Sequence, residues 1–118
     1  MGASVLALAM AAPAFAQGNS SVVTQSGSGN TSTITQNIGA TFNQADVEQS
    51  GATGLSEITQ SGDTNIAGLD QGGSLNQSFI TQNGSGNMAN IGQGGMMDIS
   101  NVTQTGNGNM VTVTQNVP

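Results

Sequence analysis

The sequence predicts an all-β chain, a parallel β-solenoid of about 4.5 coils built from nine 11-residue strand-turn units. Three observations predict it. A glutamine recurs every eleven residues at Gln49, Gln60, Gln71, Gln82, Gln93, Gln104 and Gln115, after a first pair at Gln25 and Gln36 and one longer step of thirteen. The positions two, four and six before each glutamine form columns of constant chemistry, and spacing by two places them on one face of a strand. Turn residues follow each glutamine: Ser-Gly-Ser-Gly after Gln25, Asn-Gly-Ser-Gly after Gln82 and Thr-Gly-Asn-Gly after Gln104.

Residues 2–16, GASVLALAMAAPAFA, are apolar and end in Ala14-Phe15-Ala16, the small-x-small pattern of a signal peptidase site. Residues 1–16 therefore read as a signal peptide that lacks its basic leading region, and residues 17–118 as the repeat domain. The apolar stretch is too short to span a membrane, so export without stable membrane insertion is expected. A start codon assigned late, or a fragment, is the expected explanation for the missing basic residues.

From Asn19 onward every unit presents the same inward face. Two before the glutamine stand Val23, Ile34, Val47, Ile58, Leu69, Ile80, Ile91, Val102 and Val113. Four before it stand Ser21, Ser32, Ala45, Ser56, Ala67, Ser78, Ala89, Ser100 and Val111. Six before it stand Asn19, Asn30, Asn43, Gly54, Asn65, Asn76, Asn87, Asp98 and Asn109. The alternate positions are polar and variable, as a solvated face is. Period two excludes a helix, and the β-branched residues favour strands. Glycine stands two after the glutamine at Gly27, Gly51, Gly62, Gly73, Gly84, Gly95 and Gly106, where a tight reversal is expected to need positive φ. Ile38, in the longer 37–42 loop, and Val117 break that column. Two strands and two turns make a 22-residue coil. Its phase stays open, since 54–71, 76–93 and 98–115 pair as well as 43–60, 65–82 and 87–104.

A buried amide without a partner costs roughly 1–3 kcal/mol. In a parallel stack an identical amide one rung away removes that cost, donating upward and accepting from below. The expected fibre-forming ladder is Asn19, Gln25, Asn30, Gln36, Asn43, Gln49, Gln60, Asn65, Gln71, Asn76, Gln82, Asn87, Gln93, Gln104, Asn109 and Gln115. Segments 19–25 and 109–115 follow the repeat with no polar cap and no charge, so both ends are expected to template another copy and build cross-β amyloid fibres. The acidic residues lie between them. Asp46, Glu48 and Asp70 are expected gatekeepers that delay premature assembly, because Glu48 and Asp70 share a column on adjacent rungs where like charges repel.

Composition excludes other classes. The chain has no Lys, Arg or His, six acidic residues and a formal charge of −6, which removes the basic groups that bind nucleic acid. It also removes the usual general bases and imidazole ligands; no catalytic residue, cofactor or metal site is expected. No cysteine is present to form a disulfide or a thiolate site. An outward threonine column at Thr35, Thr59, Thr81 and Thr103 raises the alternative of a monomeric ice-binding solenoid, but its neighbouring column reads Glu57, Phe79 and Asn101 and breaks the array.

The segment Gln60-Ser-Gly-Asp-Thr-Asn65-Ile-Ala67-Gly-Leu-Asp-Gln71 resembles the curlin repeat, Ser-x5-Gln-x-Gly-x-x-Asn-x-Ala-x3-Gln. Asn43-x-Ala45-x3-Gln49 and Asn87-x-Ala89-x3-Gln93 match its second half, and the resemblance runs over residues 19–118. It implies a subunit of curli, the functional amyloid fibre of bacterial biofilms, polymerising with itself outside the cell and mediating adhesion. It also implies two further partners, an outer-membrane secretion machinery and a minor curlin nucleator. The acidic, regular chain favours the major subunit over the nucleator. Two features depart from the pattern: first strands open with Asn, Gly or Asp rather than Ser, and no spacer separates the leader from the first repeat.

Overall fold

The computed structural model describes residues 18–37 and 39–116, so the expected signal peptide, Ile38 and Val117 lie outside the described residues. Nine strands follow one another: β1 (Ser20–Gln25), β2 (Thr31–Gln36), β3 (Gln44–Gln49), β4 (Leu55–Ser61), β5 (Ile66–Gln71), β6 (Gln77–Asn83), β7 (Met88–Gln93), β8 (Ile99–Thr105) and β9 (Met110–Gln115). Odd strands form a five-stranded sheet in the order β1-β3-β5-β7-β9, and even strands a four-stranded sheet in the order β2-β4-β6-β8. Every pairing is parallel, and glutamine always faces glutamine: Gln25 with Gln49, Gln36 with Gln60, and so on to Gln93 with Gln115. The eleven-residue step is what produces this. Each coil adds two equal units, so each residue returns to the same place one rung higher.

The core is one side chain deep. Ile34, Val47, Ile58, Leu69, Ile80, Ile91 and Val102 meet between the two sheets, with Ala45, Ala67 and Ala89 filling the odd sheet's small positions. Val23, Val111 and Val113 of the two end strands of the odd sheet pack against this cluster but are only partly buried. The serines of the even sheet lie beside it, buried; Ser56 Oγ donates to Ser32 Oγ at 2.9 Å. So few apolar groups cannot fill the interior alone. Buried glutamines flank them on one side and buried asparagines on the other.

The turns differ from expectation in two ways. Gly27, Gly62, Gly73, Gly84 and Gly106 have positive φ, but Gly51 and Gly95 do not. The recurring need at this column is close approach. A Cβ built on Gly27, Gly51, Gly62, Gly73 or Gly84 collides with the carbonyl oxygen of Gly51, Gly73, Gly84, Gly95 or Gly106 respectively, one coil on. The positive φ that recurs without exception lies elsewhere, at the residue just before each strand's Asn-column position: Gly18, Gly29, Phe42, Thr53, Thr64, Leu75, Gly86, Met97 and Gly108. Five of these are not glycine, and each such left-handed residue costs roughly 1–2 kcal/mol. Hydrogen bonds between coils offset the cost: the N–H groups of Thr53, Thr64, Leu75 and Met97 donate to the carbonyls of Ser28, Thr41, Ala52 and Ser74 at 2.8–3.0 Å.

Core deletion at Ile58 or Ile80 (to Ala) is expected to cost about 2–5 kcal/mol in urea denaturation of the unassembled chain. Ile99→Ala, on the exposed face, is expected to stay within about 0.5 kcal/mol. A second comparison separates close approach from backbone conformation. Gly51→Ala, at a position without positive φ but in collision, is expected to lower the denaturation midpoint sharply. Gly92→Ala, with open space around it, is expected to leave the midpoint within error or raise it.

Candidate assembly site: side-chain ladders and open ends

Two glutamine columns run along the stack. In the odd sheet Gln25 Nε2 donates to Gln49 Oε1 at 2.7 Å, Gln49 to Gln71 at 2.7 Å, Gln71 to Gln93 at 2.8 Å and Gln93 to Gln115 at 3.0 Å. In the even sheet Gln36 donates to Gln60 at 3.0 Å, Gln60 to Gln82 at 2.9 Å and Gln82 to Gln104 at 2.8 Å. Every amide points the same way, from lower to higher residue number.

The carboxamide also has a second N–H, and it crosses to the other sheet. Gln60, Gln71, Gln82, Gln93 and Gln104 Nε2 reach the carbonyls of Gln44, Leu55, Ile66, Gln77 and Met88 at 2.9–3.1 Å. One side chain thus joins coil to coil and sheet to sheet. Glutamate has no such donors and a hydrocarbon has neither donor nor acceptor, which is why Gln60, Gln71, Gln82 and Gln93 can be almost wholly buried.

The asparagines behave differently from the expected amide-to-amide ladder. The oxygen of each accepts a backbone N–H from the next coil: Asn43 N–H to Asn19 Oδ1 at 2.9 Å, Asn65 to Asn43 at 2.8 Å, Asn87 to Asn65 at 3.1 Å and Asn109 to Asn87 at 3.0 Å. Their Nδ2 groups donate to turn carbonyls, as Asn65 does to Ser61 at 3.2 Å and to Gly84 at 2.9 Å. Asn30 and Asn76 hold their turns in the same way, through Ser26 and Gly51 and through Gly72 and Gly95. The shorter asparagine side chain reaches the turn backbone beside it. Among the asparagines, Asn109 donates from Nδ2 to Asn87 Oδ1, at 3.0 Å.

At the start of the stack Gln25 Oε1 is buried with no hydrogen-bond partner among the described residues. Residues 39–42 lie beside that end, where Ala40 O accepts from Asn19 Nδ2 at 3.1 Å, and Asp63 ties them down by accepting from Thr41 N–H and Thr41 Oγ1, both at 2.9 Å. Asp46, Glu48 and Asp70 all point outward from the odd sheet, Glu48 directly opposite Asp70, with Asp46 opposite Gly68. Thr35, Thr59, Thr81 and Thr103 face one another in sequence on the even sheet's outer surface, beside Thr33, Glu57, Phe79 and Asn101. Among the described residues no group of three His, Cys, Asp or Glu side chains could hold a metal ion.

Replacing Gln71 by Ala is expected to cost about 1–3 kcal/mol beyond its lost packing, because Gln49 Nε2 and Gln93 Oε1 lose their partner while still buried. Gln71→Glu is expected to be no milder, since a carboxylate cannot donate to Gln93 Oε1 or the Leu55 carbonyl. Chemical denaturation of the two variants checks both.

Residues 62–95 match the family model of the curlin associated repeat. No curated protein and no solved structure matches the chain. The matched stretch runs from the turn before β5 to the turn after β7, and takes in three strands, both glutamine columns and the Asn65-x-Ala67 and Asn87-x-Ala89 signatures. The curlin repeat family is a structural, non-enzymatic one, and residues 62–95 of this β-solenoid are similar to its repeat.

Proposed function

We propose that the chain is the major structural subunit of an extracellular curli-type amyloid fibre, exported from the cell and serving adhesion and the biofilm matrix. One observation supports the reading: the ladder that holds the coils together stops at Gln25, whose buried oxygen has no donor among the described residues. A second copy is the partner that supplies one. Around it, β1, β2, β8 and β9 each present a sheet edge with unpaired backbone groups, and such edges template further strands of the same kind. A minor curlin nucleator and the outer-membrane secretion machinery are the partners this reading implies. The ice-binding alternative gains no support from a surface in which Glu57 and Phe79 interrupt the columns beside the threonines.

The purified chain is expected to bind thioflavin after a lag and to give fibre reflections near 4.7–4.8 Å and ~10 Å; a product that stays soluble without them overturns the reading. Gln25→Ala and Gln115→Ala are expected to slow seeded elongation more than Gln71→Ala, since only the end rungs meet the next subunit. Glu48→Gln with Asp70→Asn is expected to shorten the lag, because the facing carboxylates no longer repel. An unchanged lag would remove the gatekeeper role of Asp46, Glu48 and Asp70.

A further inference from the structure

Among the described residues an odd number of strands leaves the two sheets unequal. The odd sheet ends on β9 and the even sheet on β8. A second copy shifted straight along the axis, with its β1 on β9, leaves one strand position empty above β8. Rotated by half a turn, the same copy seats its β1 on β8 and its β2 on β9, and neither sheet is interrupted. We infer that successive copies add with a half-turn about the stacking axis, so that each strand column changes sheet type at every subunit boundary. The inference rests on the fibre reading above and specifies its junction.

The residues of β1 support this independently. The even strands TSTITQ, LSEITQS, QSFITQN and ISNVTQT share Ser, an aliphatic residue, Thr and Gln at fixed places. The inner odd strands QADVEQ, IAGLDQ and MANIGQ carry Ala in place of Ser and Glu, Asp or Gly in place of Thr. By position β1 belongs to the odd sheet, where Ser21 faces Ala45 and Thr24 faces Glu48. By sequence, SSVVTQ, it is an even strand. Seated on β8 of another copy, Ser21 continues the column Ser32, Ser56, Ser78, Ser100, and Thr24 continues Thr35, Thr59, Thr81, Thr103.

The turn after β1 points the same way. Ser-Gly-Ser-Gly-Asn30 matches two even-strand turns, Asn-Gly-Ser-Gly-Asn87 after β6 and Thr-Gly-Asn-Gly-Asn109 after β8, though not Ser-Gly-Asp-Thr-Asn65 after β4. It does not match the odd-strand turns Ser-Gly-Ala-Thr-Gly54, Gly-Gly-Ser-Leu-Asn76 and Gly-Gly-Met-Met-Asp98. Chemistry at the junction is complementary. Gln104 Nε2, which spends one N–H on the Met88 carbonyl, offers the other to the unpartnered Gln25 Oε1 of the next copy. Asp98 ends the even sheet's Asn column, with its Oδ2 accepting from Gly95 N–H at 3.2 Å; its carboxylate stands where the backbone N–H of the next copy's Asn19 arrives. Straight stacking would also give Gln25 a donor, from Gln115, so the serine, threonine and turn columns decide between the two.

The chain contains no cysteine, so single introduced thiols report the junction cleanly. Full-length T24C is co-assembled with T103C or, separately, with T114C, and the fibres are treated with a short bismaleimide and run on a denaturing gel. The half-turn predicts crosslinked dimer from T24C with T103C, one rung apart, and its loss from T24C with T114C, which then lie on opposite outer faces of sheets about 10 Å apart. The pair T35C and T114C, adjacent only after a half-turn, is expected to crosslink as well and covers the case in which T103C assembles poorly. Fibres that crosslink T24C to T114C instead, that crosslink both pairs equally, or that crosslink none of them overturn the half-turn while leaving the fibre reading intact. Absence of fibres and of a cross-β reflection from the unsubstituted chain overturns both.

Discussion

The hydrogen bond from one glutamine carboxamide to the next, over a rung of about 4.8 Å, is the interaction on which the rest of this molecule depends. It has meaning only if the neighbour is identical and in register. That requirement fixes the eleven-residue step, the parallel pairing and the uniform direction of both columns. It also lets a chain with few large apolar side chains fold at all. The second N–H of each amide ties the sheets together at the edge of the thin aliphatic core, work that a wider core would do by burial. Buried polar networks stabilise only when every member is satisfied. Here the periodic sequence supplies each inner glutamine with its partners, and among the described glutamines only Gln25 has a buried oxygen left without one.

Most of this was legible in the sequence, because a period of two inside a period of eleven leaves little freedom. The strands, their inward columns and the glutamine pairs follow from columns that can be read by counting. What could not be read was how each amide is used. Asparagine and glutamine look alike as buried carboxamides, yet Asn65 is one methylene too short to act as Gln60 does and turns instead to the backbone of its own corner. The turn glycines carried a similar ambiguity. Gly51 is glycine because the next coil's backbone passes where its side chain would be, and sequence alone does not distinguish that from a demand for positive φ. The left-handed column escaped notice because Phe42, Thr53, Thr64, Leu75 and Met97 occupy it as readily as glycine does.

The first strand is where local sequence and position disagree. From β2 to β8 a strand's residues announce the sheet it joins, and consistency of that kind marks a sequence that specifies one structure. Ser21 and Thr24 depart from it at one end, beside the one buried glutamine oxygen that lacks a donor. In the proposed fibre a second copy completes that pattern, and the mismatch carries the specificity of the junction.

The left-handed corner has one more consequence. Coil stacking uses the backbone N–H of that residue and makes no demand on its side chain, so Thr53, Leu75 and Met97 project freely from one edge, each a full coil from the last. A row of unconstrained positions at rung spacing is a printing surface. Positions there recur at about 4.8 Å intervals, and their side chains change from Thr53 to Leu75 to Met97 without disturbing the scaffold that displays them.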